Sequence, residues 1–276
     1  MKCFVINLDR RPMRWKHMAG LLQGFEVKRI PAVDGNDLDG PEKHDWSRPW
    51  CYEALSRYER ACILSHRAAL QEFLATGDRY GCMFEDDVFI SPEFPRFMND
   101  LSWIPEDCNV MKIETCLHES FYSRKTITCL DRRAAMPRSL HFGSAAYIIS
   151  RQGAKILLEE TLKPDRGIDR IMFQPRGLKK LHPVYQLFPA LCVQASVQPG
   201  GIIFSEMEST VQPKPKPQQA PPPISPTRKT LANKINRELF RPFRQTKNLI
   251  ESVAQSIGAA VFDWLRGVRR CTVPFA

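Results

Sequence analysis

The chain has 276 residues, 43% hydrophobic and 25% charged, a globular balance with room for one large α/β domain or two modest ones. No run approaches about eighteen uninterrupted apolar residues, which argues against a membrane-spanning helix, and Met1 to Leu8 lacks the charged lead and apolar core of a secretory signal. The formal charge is +10, but residues 212–276 hold twelve Lys and Arg against three acids while residues 1–211 hold 28 against 27, so the body is near neutral and no nucleic-acid partner is expected for it.

In chain order, Lys2–Leu8 (KCFVINL) reads as a buried strand, and Pro12 opens a helix with Trp15, Met18 and Leu22 on one face. Phe25–Ile30 is a second strand, running into Ala32-Val33-Asp34-Gly35, and residues 36–55 look irregular. Arg57 to Leu74 is a helix closed by Gly77. Short strands follow at Tyr80–Glu85 and Asn109–Glu114, then a β run at Ser144–Ser150 and a helix from Gln152 to Thr161. This alternation predicts an α/β sandwich with a mostly parallel central sheet. The nine cysteines are scattered and include no C-x-x-C pair, which fits a reducing compartment and argues against a disulfide framework or a zinc cluster.

Composition changes near residue 212. Pro213 to Pro226 contains seven prolines and reads as a linker over 212–226, a semi-rigid spacer of about 40 Å at full extension. A P-x-x-P docking segment is the lesser alternative. Beyond it, Thr227–Lys247 carries seven basic residues against Glu238 alone. Leu249, Ile250, Val253, Ile257, Val261, Trp264, Leu265 and Val268 then recur at helical spacing, flanked by Arg266, Arg269 and Arg270. Residues 227–276 are therefore expected to form a basic amphipathic helical tail on an anionic membrane surface; Glu251 and Asp263 argue against spanning. The alternative is a helix packed on the body or on a second subunit.

The sharpest chemical signal is Met83-Phe84-Glu85-Asp86-Asp87-Val88, a buried strand ending in three carboxylates. Strand ends of this kind form the ligand-binding edge of an open α/β sheet, and adjacent acids are tolerated when a divalent cation such as Mg²⁺ or Mn²⁺ neutralises them. A solvated acidic turn is the plain alternative. Asn7-Leu8-Asp9-Arg10-Arg11-Pro12-Met13-Arg14 places arginines at the first strand-to-helix turn, a natural diphosphate site or an ordinary basic turn. Ala61-Cys62-Ile63-Leu64-Ser65-His66 sets a hydroxyl and a His on an apolar helix, where a lone His is more often a satisfied core residue. Lys112-Ile113-Glu114-Thr115 ends another strand in an acid, and His141 to Arg151 offers small residues where a ligand or a packed helix could lie.

VINLDRRPMRW, AVDG, RACILSH, FEDDV, KIET, HFGSAAYIISRQGA, IDRIMF and LFPALCVQ, in this order, together with the terminal Val273-Pro274-Phe275, resemble glycosyltransferase family 25, in particular its bacterial lipooligosaccharide galactosyltransferases. The resemblance covers roughly residues 1–204. It implies a GT-A-like (Rossmann-like) nucleotide-sugar-binding domain over 1–211 with a D-x-D-like acidic motif and Mn²⁺ or Mg²⁺ as cofactor. Glu85-Asp86-Asp87 would be that motif, with Glu in place of the first Asp. Asp87 is the expected metal ligand, Glu85 a second ligand or a ribose contact, and Asp86 a sugar contact. Arg10 and Arg14 are expected on the diphosphate and Asp34 on the nucleoside, with Asn7 and His66 completing the donor site.

Inverting transfer needs one base to deprotonate the acceptor hydroxyl. Asp169, in Gly167-Ile168-Asp169-Arg170, is the first candidate and Glu114 the second; Asp169 could equally be a carboxylate stabilised at a helix start. The implied partners are a UDP-sugar, with galactose or glucose transferred, and a lipid-linked oligosaccharide acceptor. The implied location is cytoplasmic, peripheral on the inner face of the inner membrane. The rival readings are a nucleotidyltransferase on the same acidic edge and a catalytically dead membrane-docked module.

Overall fold

The computed structural model describes residues 1–45, 47, 52–139, 141–173, 180–197 and 267–276. Met1–Gln212 with Arg269–Ala276 group as one compact unit. Its elements are β1 (Lys2–Asn7), α1 (Pro12–Leu21), β2 (Val27–Pro31), α2 (Arg57–Thr76), β3 (Tyr80–Glu85), β4 (Val88–Ile90), α3 (Phe94–Asn99), β5 (Val110–Lys112), β6 (Glu114–Thr115), β7 (Glu119–Cys129), β8 (Arg132–Pro137), β9 (Ala146–Ser150), α4 (Arg151–Glu160), α5 (Ile168–Phe173), β10 (Val184–Phe188), β11 (Cys192–Gln194) and β12 (Val268–Thr272). The proline-rich stretch and the expected helix up to residue 266 lie outside the described residues. Among those described, no helix is long and apolar enough to cross a membrane.

A nine-stranded sheet runs in the order β12-β7-β8-β10-β5-β9-β3-β1-β2, and a three-stranded sheet, β4-β11-β6, stands beside it. Strand pleating sends alternate side chains to opposite faces, and the core divides accordingly. Cys3, Val5, Cys82, Phe84, Met111 and Ile148 pack with Met18 of α1 and with Phe94 and Phe97 of α3. Phe4, Ile6, Met83, Val110, Tyr147 and Ile149 pack with Leu70 and Phe73 of α2, Leu157 of α4 and Ile171 of α5. Helices thus cover both faces of the sheet, and the strands between them are apolar on both sides.

Helix α2 is delimited by its own sequence. The Ser56 hydroxyl accepts from the Glu59 amide at 3.1 Å and Glu59 returns a bond from the Ser56 amide at 2.8 Å, a capping box. Gly77, at φ +83°, ends the helix in the left-handed conformation that glycine adopts without strain.

The sheet is mixed, which corrects the expectation of a mostly parallel one. Strand β1 is parallel to β2 and β3, and β5 to β10. Strand β9 is antiparallel to both β3 and β5, and β8 to both β10 and β7. Parallel neighbours need a helical crossover, supplied in the first half by α1 and α2. Between β6 and β9 the chain instead forms a hairpin, with Leu130 at φ +57° in the turn between Cys129 and Arg132. Strand β9 therefore enters the sheet reversed.

The end of the chain also departs from the expectation. Val268, Arg269 and Arg270 lie in β12 at the edge beside β7, not on a helix. Arg270 pairs with Glu119 at 2.6 Å, the Thr115 hydroxyl donates to the Val273 carbonyl at 2.7 Å, and Arg132 donates to the Ala276 carbonyl at 2.9 Å. Backbone bonding, which that edge position supplies, outweighs the helical spacing of one valine.

Candidate active site

Because β1 and β3 are parallel and Ile6 lies opposite Glu85, the carboxyl ends of both strands meet at one edge of the sheet. A cleft there is lined by Arg14, Asp34, Cys62, His66, Glu85 and Asp87, among others. The chain beyond each strand is held down by side chains: the Asn7 amide donates to Asp86 at 2.6 Å and to the Arg11 carbonyl at 3.1 Å.

The three acids have different surroundings. Asp86, which also lines the cleft, accepts from Asn7 on one oxygen and from Arg14 on the other at 2.9 Å. Asp87 is 3% exposed, with one oxygen 3.7 Å from Arg14 and the other accepting from the Gln194 amide at 3.4 Å. Burial and the neighbouring charge of Glu85 push its carboxyl up to about 7. Burial also acts to raise Glu85, but hydrogen bonds and charge from His66, with Ser144 and Arg14, outweigh it and hold Glu85 below the ordinary glutamate value. Its Oε1 accepts from the Ser144 hydroxyl at 2.9 Å and lies 3.4 Å from His66 Nε2, while Oε2 lies 3.5 Å from the Gln194 amide. The other ring nitrogen of His66 meets the Tyr147 hydroxyl at 2.9 Å.

This donor set fits a hard divalent cation in part. Glu85 and Asp87 supply carboxylate oxygens on either side of the Gln194 amide, and burial and the Glu85 charge, only partly offset by Arg14, make Asp87 resist ionisation, a cost that a bound cation would relieve. Asp86 differs in having the Arg14 guanidinium in direct contact, which already neutralises it.

Two residues expected on the donor are spoken for. Arg14 lines the cleft but is only 3% exposed and lies against Asp86 and Asp87 as their counter-charge. Arg10 forms a two-pronged pair with Asp34, whose second role is to accept from the Asn36 amide at 2.9 Å. The Arg10 hydrogen bond holds the Asp34 carboxyl below its ordinary value.

The two candidate bases separate on access. Glu114 is 0% exposed, accepts from the Ala145 amide at 2.9 Å and lies 3.1 Å from the Lys112 ammonium. Its Oε1 makes no hydrogen bond, the Lys112 contact lacking the geometry for one, and burial pushes the carboxyl up to about 7. Lys112 spends its donors on the Phe142 carbonyl and, at 2.7 Å, the Gly143 carbonyl. Glu114 and Lys112 thus brace the 142–145 turn inside the protein. Asp169, in the first turn of α5, is part-exposed and accepts from the Arg170 amide at 2.7 Å and the Gly143 amide at 3.3 Å. Burial raises its carboxyl above the usual aspartate value. The Cys62 thiol is raised by burial and by the charges of both Glu85 and Asp169, which brings Asp169 within electrostatic reach of the acidic edge.

Residues without an assigned chemical role in the sequence reading also belong here: Gln194, Ser144, Tyr147 and Lys112. Gln194 closes LFPALCVQ and Ser144 opens the small-residue run, so both were marked by their segments, yet a neutral side chain gives no signal of which acid it will meet.

An acid-edged cleft at the carboxyl end of an α/β sheet is the place where such folds bind phosphorylated ligands and nucleotides. Residues 1–172 match the profile "Glycosyltransferase family 25 (LPS biosynthesis protein)", and the chain belongs to that family. It is 32% identical over 150 residues to the lacto-N-neotetraose biosynthesis glycosyltransferase LgtE of Neisseria gonorrhoeae, covering 51% of this chain and 54% of that one. Against LgtB of Neisseria meningitidis serogroup A it is 31% identical over 210 residues, 70% of this chain and 74% of the relative. The lipooligosaccharide biosynthesis protein lex-1 of Haemophilus influenzae is 28% identical over 151 residues, 51% of this chain and 50% of the relative. The chain thus spans about half the length of several of these curated relatives. A crystal structure of a glycosyltransferase involved in glycosylating the major capsid of PBCV-1 aligns with a TM-score of 0.38 at 10% identity, over 71% of this chain and 94% of that one.

Proposed function

We propose that this protein transfers galactose or glucose from a UDP-sugar to a growing lipooligosaccharide acceptor, with inversion at the anomeric carbon, in a GT-A-like site. Family membership and the roles of the Neisseria and Haemophilus relatives support sugar transfer in lipooligosaccharide assembly. The observation that carries the site assignment is Asp87, buried beside the like charge of Glu85 at the rim of the cleft, with Arg14 offsetting only part of that cost.

In this reading Glu85 and Asp87 hold Mn²⁺ or Mg²⁺, which when bound supplies Lewis-acid neutralisation of the departing UDP. Asn7 and Arg14 fix Asp86 so that the loop from Glu85 to Val88 keeps its shape while the donor binds. Asp169 takes the acceptor proton as the hydroxyl oxygen bonds to the anomeric carbon and the bond to the β-phosphate oxygen breaks, its electron pair leaving with UDP. The raised carboxyl of Asp169 makes it a better proton acceptor than an ordinary solvated aspartate. Glu114 is assigned a structural part.

The basic stretch up to residue 266 is proposed to hold the enzyme on an anionic membrane surface, at the cytoplasmic face where a lipid-linked acceptor is presented. Deleting 213–266 while keeping 267–276 tests this: vesicles containing phosphatidylglycerol should sediment the full chain and not the deletion, and equal binding of both would end the idea.

The transfer reading is tested by a UDP-release screen of UDP-galactose, UDP-glucose and their N-acetylated counterparts on truncated core acceptors, with Mn²⁺, with Mg²⁺ and with chelator. Metal-dependent UDP release that needs acceptor supports it. Release of pyrophosphate instead would point to nucleotidyl transfer.

A further inference from the structure

Helix α2 brings a second set of ligand atoms to the same cleft. Cys62 and His66 stand four residues apart, hence on one helical face, and that face meets the end of β3. The ligand atoms of Cys62, His66 and Glu85 all lie within 4.8 Å of one another. His66 Nε2 and Glu85 Oε1 are 3.4 Å apart. A tetrahedral zinc shell with bonds of roughly 2.0–2.3 Å places its ligand atoms about 3.3–3.7 Å apart, so this edge is already at coordination spacing. The three side chains line the cleft, which gives an ion an entry path and leaves a fourth position to solvent.

We propose that Cys62, His66 and Glu85 form a thiolate–imidazole–carboxylate site for a borderline-soft divalent cation of the zinc class. The set has the ligand types and the three-plus-water count of an open zinc site. Its sulfur and nitrogen donors select zinc over the hard cations that favour oxygen alone. In the tautomer that carries the His66 proton on Nδ1, the Tyr147 hydroxyl 2.9 Å away accepts it and Nε2 is free for metal, while the Ser144 hydroxyl donates to Glu85 at 2.9 Å. Coordination releases the Cys62 thiol proton to solvent. The absence of a C-x-x-C pair does not bear on this site, because one thiol on a helix needs no second cysteine.

Glu85 also belongs to the oxygen pair with Asp87. An ion on Cys62 and His66 therefore withdraws Glu85 from the other position, so zinc antagonises the hard cation. That antagonism rests on the cation role proposed above; the binding itself does not.

Cobalt(II) is the probe, added to the full chain under reducing conditions after chelation and desalting. One equivalent should produce a thiolate-to-metal charge-transfer absorption that stoichiometric Zn²⁺ abolishes. Cys62→Ser should lose the band and bind Zn²⁺ at least about tenfold more weakly, whereas Asp87→Asn should keep it. No band in the wild type, a band surviving in Cys62→Ser, or loss of the band in Asp87→Asn would each overturn the site. Should Cys62→Ser fail to fold, alkylation of wild-type Cys62 read by peptide mass decides: Zn²⁺ should slow it at least about tenfold and Mg²⁺ should not. An unchanged rate with Zn²⁺ rejects the site even if sugar transfer proves correct.

Discussion

Arg14 donates to Asp86 at 2.9 Å with the two side chains only 4% and 8% exposed, so the first helix supplies the counter-charge for the acidic end of the third strand. This pairing neutralises the middle of the three acids that line the cleft, and Arg14 lies 3.7 Å from the third, Asp87. It also makes Arg14 part of the fold. Breaking a buried pair by removing one partner costs about 3 kcal/mol or more. Arg14→Met should therefore lower stability by about that amount in urea unfolding, and the double variant with Asp86→Asn should recover part of it. A stable Arg14→Met whose only defect is a raised KM for the donor would restore Arg14 to the diphosphate.

Asp87 gives a pH test with a definite sign. Its carboxyl sits near 7 in the folded chain against an ordinary 3.8, so the folded state holds a proton that the unfolded chain has released. Stability relative to Asp87→Asn is then fully present below about pH 4, falls as pH rises towards 7 and is level above it. Mn²⁺ or Mg²⁺ should lift the wild-type melting temperature at pH 7 to 8 and leave Asp87→Asn unmoved. Wild-type melting that ignores both ions would remove Asp87 from the metal position.

Exposure separates the two base candidates. Asp169→Asn should lower kcat by about 10² to 10⁴ with little change in melting temperature. Glu114→Gln should do the reverse: kcat within about tenfold of wild type, but a lower melting temperature, because Lys112 loses its buried anion. Initial rates of UDP release and thermal unfolding on the same preparations decide between them.

Gly143 takes φ +86°, and an added Cβ would lie 2.4 Å from Glu114 Oε1 and 2.6 Å from Cys116 Sγ. Gly24 has φ +90° with nothing within 4 Å of the same added atom. Gly24→Ala should cost about 1–2 kcal/mol of backbone strain alone, while Gly143→Ala should cost distinctly more and reduce activity by shifting the turn that bonds Asp169. Equal losses in urea unfolding would show that the Glu114 contact yields freely.

Local order was legible in the sequence; long-range partners were not. The strand ending in Glu85, the helix from Arg57 closed by Gly77 and the placement of the acids at the sheet edge all follow from apolar runs and turn residues within a short stretch. The hairpin of β7 and β8 was hidden because SRKTITC and RRAAMP carry charged residues and alanines in place of the large apolar runs that mark a core strand, and the reversal of β9 depends on that hairpin. Asn7 and Asp86 are 79 residues apart, and nothing near either one announces their bond. Arg14 read as a diphosphate contact or part of a basic turn because an arginine's burial depends on an acid that only the folded sheet delivers. The same holds for Arg10, which Asp34 claims across 24 residues.

Strand β12 has a temporal corollary. Its neighbour Val273 closes on Thr115 across 158 positions, and Arg132 closes on Ala276 across 144. During translation the edge beside β7 stays bare while the whole proline-rich and basic stretch is still being made, a long interval in which exposed strand backbone invites misassembly. Nascent chains arrested before residue 268 should accordingly remain protease-sensitive at β7 and β8 while the parallel half around β1 and β3 is already protected.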